Sequence, residues 1–417
     1  MDENDVRAWA REAFVYGLAT VDLYRILRNF ALDPTSPEFK APLNAIHHSR
    51  TLADPTDRSI VAMNVDTPYS YAWLDLRDGP VQVNMPPVPE GRYMAAELFD
   101  LYTYIVGYIS PRTTGRTGGS YLVVGPDGGD IDTGGLPFFH CPTQLCLVLV
   151  RTELFDDADM INVAALQDGV QVRAPRAKAA SPLSPIEAVD VRATPTLRFL
   201  EVLDWMLRLM PVLPEDEGVR ARIPALAAAS TTFPRDVNEG LAEGMADVIA
   251  RSRRVRSSAE IFGSRELLQS DPLSRAAGAF LGILGNAAEE YLGVGYHGDA
   301  DGLPFDGSYR YSIHFGPGGL PPVDAFWSVT VYDGDQFLHA NPINRYRVSS
   351  HDTGSIPTDA DGGLTIRVQH EPPTDGTGIW LPCPEGSFSL TFRTYLPGDA
   401  IRDGNWTAPP VTREESR

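Results

Sequence analysis

Within six positions of the run NVDTPY the chain carries Asn64, Asp66, Thr67 and Tyr69, just before the sheet-like stretch YAWLDL. A carboxylate flanked by an amide, a hydroxyl and a phenol is the stock of an acid–base site. Asp66 would take or orient a proton there, and Tyr69 would donate one or stabilise an oxyanion. The same residues have a plainer use, since Asn and Asp ahead of a Pro often bond their own backbone in a turn. Further on, LFDLYTYIVGY alternates Asp100, Tyr102 and Tyr104 with Leu101 and Thr103. A period of two would set all three on one strand face, with Tyr102 or Tyr104 as proton donor and Asp100 as a binding group. The segment RTTG then offers Arg112, whose planar fork suits the carboxylate or phosphate of a small substrate, and Thr113 and Thr114 as neutral donors. The competing reading pairs Arg112 with Asp100 or Asp66 to hold a loop.

Other chemistries find less support. The eight histidines (His47, His48, His140, His297, His314, His339, His351 and His370) include no pair at i, i+4, the spacing that places two zinc ligands on one helix face. The acidic runs DADG at Asp299 and Asp359 lack the further ligands and terminal Glu of a calcium loop and read as turns. There is no G-x-S-x-G elbow, and GRTGGS and GPGGLPP stand outside the strand-to-helix setting that a phosphate-binding loop requires. No metal and no cofactor is therefore expected. In the last third, Trp327 reads as a core residue on a sheet face, and NPINRY, with Asn344, Arg345 and Tyr346, as a polar knot at a domain interface.

These groups must be held by elements the sequence outlines. From Asn4 to about Phe30, apolar residues recur every three or four positions (Trp9, Phe14, Leu18, Val21), as in an amphipathic helix. Between about residues 60 and 150 short runs such as VQVNM, YMAAELF, SYLVVG and CLVLV, separated by Gly and Pro, read as an antiparallel sheet or sandwich. Helical spacing returns over Pro195–Met210, Val237–Ser252 and Arg275–Leu292, and strands over YRYSIHF, AFWSVTVYD, LTIRVQH and SFSLTFRTYL. At 417 residues the chain exceeds the length at which single cores divide. The expected class is α+β: an N-terminal helix and β-rich domain over 1–166, a polar linker over 167–184, a helical segment over 185–300, and a C-terminal antiparallel β-sandwich over 301–417.

The motifs NVDTPYSYAWLDL, GRYMAAELFDLYTYIVGYI with RTTG, and YLVVGP, followed by FGPGGLPPVDAFWSVTVYD, NPINRY, LTIRVQH, WLPCPEGSFSLTFRTYLP and DGNWTAPP, resemble the pairing of two domains of unknown function, DUF1254 and DUF1214. The resemblance runs from about Val6 to Pro410 and is weakest over the linker. It implies a β-rich first domain, a jelly-roll-like second domain and helices between them, and it assigns no reaction. Similar proteins are commonly exported, whereas this N-terminus, MDENDVRAWA, has neither the basic start nor the apolar run of a signal peptide.

A net charge of −20 with a pI near 4.8 opposes nucleic acid and anionic membrane as partners. Three cysteines, Cys141, Cys146 and Cys383, form no paired framework and suit a reducing compartment, so the protein is expected in the cytoplasm. The function expected is a cofactor-free acid–base hydrolase or lyase acting on a small polar or anionic substrate. Its catalytic groups would be Asp66, Tyr69, Tyr102 and Tyr104, and its binding groups Asn64, Thr67, Asp100, Arg112, Thr113 and Thr114. The alternatives are a protein that binds a small ligand or carbohydrate without turnover, and a scaffold that pairs into a homo-oligomer.

Overall fold

The computed structural model describes residues 3–58, 61–129, 132–174, 182–355, 359–374 and 378–414. The chain opens with α1 (Glu3–Leu27), prolonged by one π turn over Arg28–Leu32. Strands follow in order: β1 (Ile46–His48), β2 (Tyr69–Asp75), β3 (Val81–Met85), β4 (Met94–Phe99), β5 (Ile105–Ile109), β6 (Gly119–Val124), β7 (Phe138–His140) and β8 (Leu145–Thr152). Helix α2 (Met160–Asp168) then leads to β9 (Gln171–Arg173). The middle holds α3 (Arg198–Leu207), α4 (Glu217–Ala229), α5 (Pro234–Ser252) and α6 (Pro272–Gly282). The last part runs through β10 (Tyr291–Tyr296), β11 (Tyr311–Phe315), β12 (Trp327–Asp333), β13 (Arg347–Ser349), β14 (Leu364–Gln369), β15 (Ile379–Pro382), β16 (Phe388–Tyr395), α7 (Asp399–Arg402) and β17 (Val411–Arg413).

Two β-sandwiches result. In the first, the sheet β1-β2-β8-β4-β5 faces the sheet β7-β6-β3-β9. In the second, β10-β16-β12-β13 faces β15-β14-β11-β17. Every strand pair is antiparallel except β6–β7 and β14–β15. Strand β4 shows why its sequence, MAAELF, lacks a polar alternation. Met94, Ala96 and Leu98 fill the sandwich core, while Ala95 and Phe99 pack on the helices, so both faces are covered and both must be apolar. Strand β8 repeats the arrangement, with Cys146, Val148 and Val150 inward and Leu145, Leu147 and Leu149 toward the helices.

Helix α1 is the centre of that helical layer, apolar around most of its circumference because α3, α4, α5 and α6 surround it. Its contact with α5 depends on Gly240 and Gly244. A Cβ at Gly240 would lie 2.2 Å from the Arg7 carbonyl oxygen, and one at Gly244 would lie 2.8 Å from Phe14 Cβ.

Three local expectations need correction. The helix read over Arg275–Leu292 stops at Gly282, whose φ of 158° lies where only glycine is at ease. Tyr291 already belongs to β10, which pairs with β16, so the second sandwich starts ahead of residue 301. Within the stretch read as a linker, Gln167 and Asp168 close α2, Gln171–Arg173 form β9 against β3, and Leu183 packs on the helical core; residues 175–181 of that reading lie outside the described residues. Finally, Asp100, Tyr102 and Tyr104 do not share a strand face. Strand β4 ends at Phe99, and Thr103, at φ 71°, turns the chain into β5.

Candidate functional site

The polar approach to β2 docks on the second sandwich. Asn64 Oδ1 accepts from the amides of Asp66 (2.6 Å) and Thr67 (3.3 Å), the local turn that the sequence allowed. Its Nδ2 also donates to the Tyr395 hydroxyl at 2.5 Å. Asp66 is fully buried, with Oδ2 accepting from Ser328 Oγ at 2.7 Å and, more loosely, from Tyr395 at 3.5 Å. Its Oδ1 lies 3.2 Å from Arg347 Nε. Register explains why these partners are polar. Strand β12 sends Trp327, Val329 and Val331 into the second core and turns Ser328, Thr330 and Tyr332 outward, as β16 does with Arg393 and Tyr395. Tyr332 donates to the Met63 carbonyl (2.6 Å), Arg393 to that of Ala62 (3.2 Å) and Arg347 to that of Val65 (3.0 Å). The Thr67 side chain is buried with its hydroxyl unpartnered.

Arg112 pairs with neither Asp66 nor Asp100 but with Glu290, at 2.9 Å. Glu290 is fully buried and also accepts from Ser110 Oγ (2.6 Å) and the Tyr93 hydroxyl (3.2 Å), while the Arg112 side chain keeps 36% of its exposure. Thr113 and Thr114 are used within the turn, donating to the carbonyls of Tyr108 (2.8 Å) and Ser110 (3.1 Å). Beneath lies a second buried carboxylate, Glu97, which accepts from Tyr108 at 2.7 Å and pairs with Arg151. Burial pushes the Glu97 carboxyl up to about 7 against the opposing pull of Arg151. The Arg151 guanidinium sits 5.2 Å from the Tyr69 ring centre, which makes Tyr69 a wall of this cluster. An acid inside MAAELF and an Arg closing LVLVR were its sequence signals: a charge inside an apolar strand needs a partner.

The β4–β5 turn presents its tyrosines elsewhere. The buried Asp100 carboxylate accepts from the amides of Tyr102 and Tyr104, both at 2.9 Å, and desolvation raises it to about 6. The two tyrosine side chains line a cavity of about 210 Å³ together with Tyr16, Asp216, Arg265 and Arg275, with exposed Glu12 and Glu215 at its rim. The Arg265 guanidinium lies 4.5 Å from the ring centres of both Tyr102 and Tyr104, and that of Arg275 lies 5.5–5.8 Å from Tyr16, Tyr102 and Tyr104. Desolvation raises all three phenols, so they remain protonated donors at neutral pH. Several polar atoms here are sealed from solvent without a hydrogen bond, namely Nε and Nη2 of Arg265, Nε of Arg275 and Oδ2 of Asp216, the last lying 3.9 Å from Arg265 Nη1. The Tyr16 hydroxyl, beside that of Tyr102, makes no well-formed hydrogen bond. These groups come from α1, the β4–β5 turn, the start of α4 and the segments around α6, so no local motif announces them.

Asn64, Asp66, Tyr69 and Arg112 thus belong to the buried seam between sandwiches and helices, whereas Asp100, Tyr102 and Tyr104 belong to the cavity side. Of the histidines, His351 joins the seam through Glu153 at 2.8 Å. His314, Asp359 and Asp361 bring one ligand atom each within 4.8 Å of one another, a group able to hold a divalent ion at the edge of the second sandwich. The His314 ring nitrogens already meet Thr365 (3.0 Å) and Asp361 (3.0 Å). The NPINRY knot satisfies itself: Asn341 bonds the backbone of Arg345, and Arg345 donates to the Trp380 carbonyl. It is Arg347 that reaches the other sandwich.

Two family models match the chain, a protein of unknown function, DUF1254, over residues 43–174 and a second, DUF1214, over residues 290–399. No curated protein matches. Among solved structures, the VPA0106 protein from Vibrio parahaemolyticus is similar over 99% of this chain and 100% of its own, with a TM-score of 0.74 and 22% identity. That likeness shows the fold. An uncharacterised protein from Burkholderia cenocepacia aligns over 99% of this chain and 96% of its own at 14% identity and a TM-score of 0.48. Among the described residues no helix is long and apolar enough to cross a membrane.

Proposed function

Since the chain belongs to the two-domain family that joins DUF1254 to DUF1214, whose name assigns no reaction, we propose from its side chains that it binds a small polar molecule in the cavity walled by Tyr102 and Tyr104. The observation that carries this reading is the lining itself, in which Tyr16, Tyr102 and Tyr104 meet the charged side chains of Asp216, Arg265 and Arg275 around one opening. Phenols and charged groups of both signs converging on one concave space suit a small polar ligand. At about 210 Å³ it is smaller than the roughly 300–1,000 Å³ typical of drug-sized ligands, so a metabolite-sized molecule fits.

Turnover is the second reading, favoured by Asp216. Its carboxylate shares the lining with three protonated phenols, a base and a set of acids suited to hydrolysis or elimination without a cofactor. In either case the seam around Asp66 and Glu290 serves to hold the two sandwiches in register. Three buried free thiols fit a reducing compartment, which supports placing the protein in the cytoplasm.

The test is a thermal-shift and calorimetric screen of small polar compounds, anionic, neutral and zwitterionic, against the wild type and Arg265→Met. Proton NMR would follow each hit for conversion. Saturable binding weakened at least tenfold by the substitution is expected. A hit whose affinity ignores it would place the ligand elsewhere. Conversion of a hit would select the enzyme; a ligand returned unchanged would select the binder.

A further inference from the structure

At the edge of the second sandwich we infer a site for one divalent transition-metal ion of the zinc class, bound by His314 and Asp361 with Asp359 beside them. It lies apart from the cavity and does not depend on it. His314 stands on β11 directly opposite Thr365 of β14, and both aspartates come from the turn Asp-Ala-Asp-Gly-Gly that leads into β14. The turn closes on its own backbone, Gly362 donating to the Asp359 carbonyl (2.8 Å) and Asp359 to that of Gly363 (2.9 Å). Glycine at 363 lets the ring come close, because a Cβ there would lie 2.7 Å from His314 Cε1 and 3.0 Å from Asp361 Oδ1.

The hydrogens show what the arrangement lacks. Thr365 Oγ1 has one hydrogen and donates it to Asp359 Oδ2 at 2.6 Å. The 3.0 Å contact between that oxygen and His314 Nδ1 therefore places a hydrogen on the nitrogen. In a neutral imidazole Nε2 is then an acceptor, yet it faces Asp361 Oδ2 at 3.0 Å, one lone pair against another. Asp361 is held in this pose, since its other oxygen accepts from the Gly363 amide at 2.8 Å. A positive charge between Nε2 and Oδ2 resolves the contact, and either a proton or a metal ion supplies it.

Two observations favour the metal. Fully buried carboxylates of this chain meet arginine, as Asp66, Glu97 and Glu290 do, whereas among the described residues the ion pairs of Asp359 and Asp361 are with His314 alone. Two carboxylates against one imidazolium leave a negative charge over; against a divalent ion and a neutral imidazole they leave none. The other observation is the bond on Nδ1, since a metal-binding imidazole commonly donates its second N–H to an oxygen that fixes the ring. One donor atom from each of the three residues lies within 4.8 Å of the others. An imidazole with carboxylates suits Zn²⁺ better than Mg²⁺ or Ca²⁺, which take oxygen ligands. The sequence conceals the set because His314 and Asp361 are 47 residues apart.

Calorimetry on the full chain, with Zn²⁺ as titrant and Mg²⁺ as control, tests the site, and proton NMR follows the His314 ring, assigned by its loss in His314→Gln. One Zn²⁺ per chain is expected, shifting the His314 resonances, with His314→Gln and Asp361→Asn each weakening it at least about tenfold. Both side chains stand at the surface, and melting curves check that the variants fold; should one fail, the other and the wild-type resonances still decide. Zn²⁺ that binds both variants as tightly as the wild type, or leaves the His314 ring unmoved at one equivalent, overturns the metal and leaves an imidazolium paired with Asp361. Mg²⁺ binding as tightly as Zn²⁺ overturns the zinc class.

Discussion

Asp66→Asn is the substitution that separates a seam residue from a proton-transfer group. Asn is nearly isosteric, and Ser328 Oγ, now 2.7 Å from Oδ2, can still donate to an amide oxygen. The loss falls on Arg347, whose Nε lies 3.2 Å from Oδ1 and would face either an NH₂ or a neutral oxygen. Removing one member of a buried ion pair costs about 3–5 kcal/mol. Arg347 is 15% exposed and keeps the carbonyls of Val65 and Leu154, so the cost falls to the bottom of that range or just below it, about 2–3 kcal/mol. At roughly 2 cal/mol/K of unfolding entropy per residue, a cooperative melt of this chain would shift by about 2–3 °C. Denaturant titration of Asp66→Asn, Arg347→Met and the double variant is the assay. Arg347→Met should cost more than Asp66→Asn, because it strands a fully buried carboxylate, and the double variant should lose at least about 1 kcal/mol less than the sum. Additive losses would refute the pairing. A stable Asp66→Asn protein whose turnover, on an identified substrate, fell by something like 10²- to 10⁴-fold would return Asp66 to the chemistry.

Glu97 should give stability a pH dependence of the opposite sign to an ordinary salt-bridged acid. Its folded carboxyl titrates near 7 and its unfolded one near 4.3, so the folded state binds the proton more tightly. Its contribution is complete below about pH 4.5 and is lost as pH rises through 7, a change on the order of 3 kcal/mol. Glu97→Gln should flatten the wild-type fall between pH 5 and 8 in denaturant titrations, and an unchanged slope would count against it. Gly240→Ala should destabilise by about 1–3 kcal/mol or more, because the added methyl meets the Arg7 carbonyl at 2.2 Å and α1 must move away from α5; an unshifted melt would show that the helices have room. Thr67→Val removes a buried, unpartnered hydroxyl at constant shape, so stability should hold or rise slightly, whereas a loss above about 1 kcal/mol would mean that the hydroxyl is bonded.

The sequence was legible where a short segment carries its own reasons. The alternation of AFWSVTVYD and SFSLTFRTYL is that of sheets with one core face, and the spacing of Trp9, Phe14, Leu18 and Val21 is that of a buried helix. Even the turn at Asn64 was present in its residue types. Period alone failed at Asp100–Tyr104, because a strand and a tight turn can share an alternating sequence. The positive φ of Thr103 is imposed by the hairpin and by the Asp100 carboxylate that caps it. It failed again after Gly282, where helical spacing runs on across a break in the backbone.

Tertiary structure decided the partners. Asp66 meets Ser328 and Arg347, Arg112 meets Glu290, and Tyr102 meets Arg265 and Arg275, each across more than a hundred residues of chain. Such pairings depend on how two sandwiches and a helical layer are laid against one another, and that packing is set by whole apolar faces. A buried charge announces only that it needs a partner; which one it finds is determined by the surfaces that close over it.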